Sequence, residues 1–170
     1  YQARRETSNA AGKLRGIGIA PYLETTAGPG TELADIRFEA DGTVTLVTGN
    51  KDFGMGHASP FAQVLSSQLG VPFEKIRLVQ HDSDEMSKGA GGSGGSRSMI
   101  AASGAIIECA ETIISKGKQL AGHILEAAVE DIDFQNGVFT VIGTDQNIDI
   151  LEVAAQASTI QGDQELPKTL

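Results

Sequence analysis

Hydrophobic and polar positions alternate along two stretches that flank an Asp-Gly pair. Ala34-Asp35-Ile36-Arg37-Phe38-Glu39 places every second side chain on an apolar face, and Thr43-Val44-Thr45-Leu46-Val47-Thr48 repeats the pattern beyond Asp41-Gly42. This is the signature of a β-hairpin. A second hairpin runs Ile132-Asp133-Phe134, Asn136-Gly137, Val138-Phe139-Thr140-Val141, with Asn-Gly as its turn. Between the hairpins the period changes to that of helices. Ser59-Pro60 reads as a helix start, serine as N-cap and proline at the first helical position. Phe61, Val64, Leu65 and Leu69 then recur at helical spacing, and Gly70 with Pro72 ends the helix.

Lys75 to Gln80 predicts a further strand, and from Ser98 a long helix of small residues runs through Ala101, Ala105, Ala110 and Ile113 toward Val129, broken near Gly117. Leu151 to Ala157 predicts a short helix. At the front, Gly16 to Glu24 predicts a strand whose glycines permit close backbone approach, followed by a loop around Gly28-Pro29-Gly30. Residues 1–15 are polar and mixed in charge, an entering segment or linker, and residues 16–170 form one domain. The order of elements predicts an α+β fold, helices packed on a mixed or antiparallel sheet.

Composition adds one departure from the ordinary. Hydrophobic content of 40% and charged content of 21% are usual for a globular domain, but 21 glycines in 170 residues exceed the usual ~7%. The excess gathers in two loops, Gly49-Asn50-Lys51-Asp52-Phe53-Gly54-Met55-Gly56-His57 and Gly89-Ala90-Gly91-Gly92-Ser93-Gly94-Gly95-Ser96-Arg97-Ser98. Each lies between a predicted strand and a predicted helix. That arrangement cradles anions, since glycine lets main-chain N–H groups approach a ligand and the helix start offers free donors and a positive dipole end. Two such units suggest a ligand with several anionic groups.

Several chemistries are excluded or weakened. A net charge of −9 argues against nucleic-acid binding, which needs a basic surface. No apolar run approaches the ~18 residues of a membrane span. The single Cys109 precludes an intrachain disulfide and reads as a small buried hydrophobe. Gly89-x-Gly91-x-x-Gly94 matches the dinucleotide fingerprint by letter, but an acidic stretch separates it from the strand, and the carboxylate expected about 20 residues on would be the mid-helix Glu111. No Gly-Lys-Ser or Gly-Lys-Thr completes a phosphate loop. His81, Asp82, Asp84 and Glu85 miss the calcium-loop pattern at Ser87 and read as a solvated acidic loop. His57 faces whatever the first loop holds, or is a structural hydrogen-bonder; His123 carries no assigned role.

Taken together, the two loops resemble a known family. Gly49 to Ser59 with Gln63 is similar to the pattern Gly-Thr-x-Asp-x-Gly-Gln-Gly-His-x-Thr-x-x-x-Gln, and Ile76 to Ser98 resembles its companion, ending in Gly-Ser-Arg-Ser. Gly12 to Ala20 and Glu130-Asp131-Ile132 add further likeness. These motifs are those of the molybdenum-binding large subunits of the xanthine dehydrogenase, aldehyde oxidase and aerobic carbon monoxide dehydrogenase family. The resemblance implies a molybdenum–molybdopterin cofactor, in bacteria the cytosine dinucleotide form. Gly54, Met55, Gly56 and His57 would border its pterin and phosphates, and Gly95, Ser96, Arg97 and Ser98 would approach its metal end and oxygens. Electrons would leave through iron–sulfur and flavin subunits or domains, and the remaining domains of the same large subunit would be partners. Nucleic acid and membrane would not be, and the location would be cytoplasmic.

Two departures stand out. Met55 occupies the position of the family's glutamine, and no residue matches the family's catalytic glutamate, so no catalytic residue is assigned within the chain. The chain reads as a segment excised from a longer protein, inactive and cofactor-free when alone. A non-catalytic relative or assembly module that kept the fold and lost the cofactor is the alternative.

Overall fold

A computed structural model of the chain describes residues 1–23, 31–80, 82, 84–85, 92–160 and 166–170. The loop expected around Gly28-Pro29-Gly30 lies outside them, as do His81, Ser83, Ser87 and Gly89 to Gly91.

The first hairpin forms as its alternation requires. Strand β1 (Ala34–Phe38) pairs antiparallel with β2 (Val44–Thr48), and a third strand, β3 (Ile76–Gln80), lies parallel on the other side of β2. The sheet order β1-β2-β3 puts β2 at the centre. Helix α2 (Ala58–Leu69) makes the crossover from β2 to β3, and helix α3 (Arg97–Ile124) follows β3. A second sheet, β4 (Ile132–Gln135), β5 (Val138–Val141) and β6 (Asn147–Asp149), is wholly antiparallel and leads into α4 (Ile150–Ala157). The fold is α+β, with one mixed and one antiparallel sheet.

Helix α3 is the common wall of both layers. It packs on α2, α4, β1, β4 and β5. Its buried positions Ala102, Ile106, Ala110, Ile113, Gly117, Leu120 and Ala121 trace the inward stripe of a helix. By length and composition alone it is apolar enough to cross a membrane, but this stripe packs in the core of the domain. Cys109 is half-buried beside that core, and burial pushes its thiol pKa up.

Four expectations are corrected. Gly117 does not break α3, which runs unbroken for 28 residues. A Cβ there would lie 2.2 Å from Cζ of the fully buried Phe139, so the glycine is a close approach between helix and second sheet. The helix stops at Ile124 rather than Val129 because Glu126 adopts a left-handed φ of 55° and the Ala127 N–H turns back to the Gly122 carbonyl. Helix α2 starts one residue before Ser59: His57 is its N-cap, without a side-chain capping bond, and Pro60 lies within the first turn. Its end is as expected, with Gly70 left-handed at φ 66°.

The fourth correction concerns the front of the chain. Residues Gln2–Ala10 form a helix, α1, with no buried residue, and residues 13–23 form no strand. The reason is the lack of a partner: Leu14, Ile17, Ile19, Tyr22 and Leu23 are all exposed, and no described backbone segment pairs with them. A strand sequence without a neighbouring strand has nowhere to place its N–H and C=O groups.

The two helical glycines Gly117 and Gly104 give a paired test of this packing. Gly117→Ala forces a methyl group into the Phe139 ring and is expected to cost about 1–3 kcal/mol. Gly104→Ala, on the exposed face with nothing within 4 Å of its Cβ, is expected to stabilise by up to about 1 kcal/mol. Urea unfolding midpoints of the two variants check both signs.

Candidate functional site

Parallel pairing of β2 and β3 decides where the glycine loops go. Thr48 and Gln80, the last residues of the two strands, are register partners, so both loops leave the sheet at one edge. Both helices therefore begin at that edge. Ser93 of the second loop donates its hydroxyl to the Lys51 carbonyl of the first at 2.5 Å, joining the two directly.

Beneath this edge the apolar face of the sheet ends in a polar row. Gln80 Nε2 donates to Thr48 Oγ1 at 3.2 Å and lies at hydrogen-bonding distance, 3.2 Å, from His57 Nδ1. The His57 ring stacks on Phe61, centroids 5.0 Å apart, and is 6% exposed. Its side chain is thus packed inward as a brace between α2 and β3 instead of facing outward from the loop. Sequence spacing offered no sign of this, because Gln80 is 23 residues away.

The first loop is shaped by its own carboxylate. Asp52 Oδ1 accepts from the N–H groups of Gly54 (2.7 Å), Met55 (2.6 Å) and Gly56 (3.3 Å), and Oδ2 accepts from His57 (2.8 Å). Gly54 and Gly56 have φ of 105° and 75°, while a Cβ on either would touch nothing within 4 Å. These glycines serve backbone conformation; nothing in the chain crowds them. Met55 is half-exposed, and Lys51 Nζ sits 5.1 Å over the Phe53 ring.

Asn50 was not among the residues marked by sequence. It is fully buried at the exit of β2, and neither its Nδ2 nor its Oδ1 has a hydrogen-bond partner among the described residues. Next to it, the Gly49 N–H donates to Glu32 Oε1 at 3.2 Å, while Glu32 Oε2 is buried without a partner among the described residues. Only a fold that closes on the end of β2 could reveal either residue.

The second loop enters α3 through two left-handed residues, Gly95 (φ 53°) and Ser96 (φ 55°). Left-handed serine is uncommon, and such strain gathers where surrounding structure holds it. Ser96 is the N-cap but makes no side-chain capping bond. Arg97 and Ser98 are each 9% exposed, and Arg97 Nη1 donates to the Gly92 carbonyl at 3.1 Å. The loop carrying Gly54, Met55, Gly56 and His57 is linked to the one carrying Gly95, Ser96, Arg97 and Ser98 through the Ser93–Lys51 hydrogen bond.

The acidic turn after β3 is partnered where it is described. Asp84 N–H bonds to Asp82 Oδ1 at 2.9 Å, and Glu85 forms an ion pair with Arg37 of β1. Among the described residues no three His, Cys, Asp or Glu side chains come together as a metal site. His123 is exposed on α3. A groove of about 600 Å³ between β1 and α4, closed by Leu170, lies away from both glycine loops.

Comparisons with known proteins bear on this edge. Residues 1–168 match the model of the molybdopterin cofactor-binding domain family. The chain is 33% identical over 170 residues to the nicotine 6-hydroxylase large subunit of Paenarthrobacter nicotinovorans, covering 91% of this chain and 20% of that protein. It is 30% identical over 168 residues to the carbon monoxide dehydrogenase large chain of Hydrogenophaga pseudoflava, covering 92% and 21%. A crystal structure of Cu,Mo-CO dehydrogenase superposes with a TM-score of 0.78 at 27% identity, over 99% of this chain and 23% of that one. Quinoline 2-oxidoreductase from Pseudomonas putida 86 gives 0.69 at 28% identity. The chain spans about a fifth of the length of these curated relatives.

The hydrogen bonds to Asp52 carry a pH dependence of defined sign. Backbone N–H donors, that of His57 foremost, hold its carboxyl below the usual aspartate range. A depressed folded-state pKa gives stabilisation that is complete above the unfolded value, about 3.9, and lost as pH falls through the folded one. The amide resonances of Gly54, Met55 and Gly56 are therefore expected to share one carboxylate titration whose midpoint lies below the ordinary aspartate value of about 3.9. Proton–nitrogen correlation spectra across that titration check this; a midpoint at or above the ordinary aspartate value would contradict it.

Proposed function

The chain belongs to the molybdopterin cofactor-binding domain family, and we propose that it is the segment of a molybdenum hydroxylase large subunit that cradles the cofactor between its two glycine loops. The observation that carries this reading is their convergence: adjacent parallel strands deliver both loops to one edge, where Ser93 bonds Lys51. Ligands of open sheets containing parallel strands lie outside the carboxyl ends of those strands, which is this edge.

The residues present fit such a group. The buried Asn50 amide offers one donor and one acceptor site unused by the protein, complementary to a polar heterocycle edge with adjacent donors and acceptors, as in a pterin. Arg97 and Ser98 bring a guanidinium and a hydroxyl to the start of α3, where the helix dipole also favours negative charge. In this reading Gly54, Met55, Gly56 and His57 border the pterin and dinucleotide side, and Gly95, Ser96, Arg97 and Ser98 the metal end. When bound, the cofactor supplies two-electron redox chemistry at its metal; this chain supplies placement and electrostatics. The relatives' names support a parent enzyme that oxidises or hydroxylates a small N-heterocycle or carbon monoxide, and a small carbonyl compound is a further substrate class within the proposal. The cytosine dinucleotide form of the cofactor, and iron–sulfur and flavin partners to take the electrons, belong to the same proposal.

The exposed apolar arm Leu14, Ile17, Ile19, Tyr22 and Leu23 supports the remaining domains of the large subunit as the immediate partner. One observation favours a second reading, a relative that has lost the cofactor: Met55 presents a thioether, at best a weak acceptor, at a half-exposed loop position.

Molybdenum and pterin content separate the two. The full-length large subunit is expected to retain both after dialysis, and the 170-residue chain alone neither, with no turnover of aldehydes, purines or carbon monoxide. Met55→Gln in the full-length subunit is expected to tighten retention roughly ten- to a hundredfold, the worth of one hydrogen bond to a charged group at about 1.5–3 kcal/mol. A full-length subunit devoid of molybdenum and pterin would overturn the cofactor reading.

A further inference from the structure

The glycine loops look alike in sequence, but among the described residues only the first closes its main-chain donors on a carboxylate of its own. In the first loop the N–H groups of Gly54, Met55, Gly56 and His57 converge on the Asp52 carboxylate, at 2.6 to 3.3 Å. Four consecutive amides on one carboxylate form the concave donor set that elsewhere binds a phosphate or other free anion. Here an anion from the chain itself already fills it. In the second loop no carboxylate plays that part among the described residues: Arg97 N–H bonds to the Gly94 carbonyl and Ser96 makes no cap.

We propose that Asp52 is a positioning and specificity-determining residue, a built-in anion that takes the amides of residues 54–57 and so denies them to the ligand's phosphates. Two consequences follow from elementary electrostatics. The carboxylate holds the loop in its working shape before any ligand arrives, so no ordering cost falls on binding. Its negative charge also repels a second anion from the same spot, a cost not offset by donors because the donors are in use. The first loop then meets its ligand through the Met55 side chain and main-chain carbonyls, a surface suited to a neutral, donor-bearing part. Anionic groups are left to the start of α3, with Arg97 and Ser98, which narrows the reading above: the part of the ligand that residues 54–57 border is its uncharged pterin or nucleoside portion, not its phosphates. This inference rests on the proposed cofactor only for the identity of the ligand; the state of the amides is a property of this chain.

The test is a titration of the nitrogen-15-labelled 170-residue chain with inorganic pyrophosphate, followed at the amides of residues 54–57. In the wild type these four amides are expected to be protected from exchange and unmoved by pyrophosphate. In Asp52→Ala they are expected to exchange roughly tenfold or more faster, as freed donors do, and to shift saturably with pyrophosphate, a gain that mere loss of structure would not produce. Asp52→Asn, which retains the shape and one acceptor oxygen, serves if the alanine variant does not fold. With one acceptor oxygen in place of two, it is expected to keep protection at one site and lose it at the other, either His57 or the Gly54 and Met55 pair, because its Nδ2 cannot accept. Wild-type amides that shift with pyrophosphate, a folded alanine variant whose freed amides ignore it, or an asparagine variant with all four amides still protected would overturn the proposal. None of these outcomes depends on molybdenum or pterin content, so the cofactor reading and this one fail separately.

Discussion

The parallel pairing of β2 with β3 is the constraint on which the rest of the candidate site depends. Had β3 run antiparallel to β2, the second glycine loop would have left the opposite edge of the sheet, far from the first. Register from Val44–Ile76 to Thr48–Gln80 instead aligns the two exits. A parallel neighbour requires a crossover, and α2 provides it with Phe61, Leu65 and Leu69 fully buried against the sheet. The same crossover delivers His57 to within hydrogen-bonding distance of Gln80, so the polar brace below the loops is a product of topology.

Helix α3 turns this unit into a domain. Its buried stripe covers the first sheet near its start and the second sheet farther along, and Gly117 admits the Phe139 ring at the second. The C-terminal glycine of α2 completes the join: a Cβ on Gly70 would fall 2.1 Å from backbone atoms of Asn136 and Gly137, the turn of the second hairpin. The second sheet is thus seated, at positions where only glycine fits, against the same two helices that pack on the first. The glycine surplus has two physical roles, since Gly70 and Gly117 answer close packing whereas Gly54 and Gly56 answer backbone φ.

The two loops emerge from this frame with different electrostatic character. One carries its own carboxylate bound by four amides; the other brings a buried guanidinium and a helix start whose N-cap, Ser96, makes no side-chain capping bond. A ligand lying across both would meet unlike ends, and its orientation would follow from that asymmetry. The exposed apolar arm before residue 24 belongs to the same picture, as a strand sequence whose pairing partner is not within the described chain.

Local order was legible in the sequence because local physics sets it. Alternation around Asp41-Gly42 and Asn136-Gly137 determined both hairpins, and helical spacing of Phe61, Leu65 and Leu69 with Gly70 determined the face and end of α2. The loop motifs, read against family patterns, determined which family the chain belongs to. Tertiary structure alone decided what depends on distant partners. Residues 16–23 have strand character in sequence but no strand to pair with, and Gly117 reads as a helix breaker until Phe139 is seen against it. The inward turn of His57 onto Gln80 and the orphaned amide of Asn50 likewise follow from strand pairing and burial. The Asp52 carboxylate sits only two residues before the first donor it binds, yet even there the sequence showed a glycine loop able to hold an anion, and only the folded backbone showed that the anion is the chain's own.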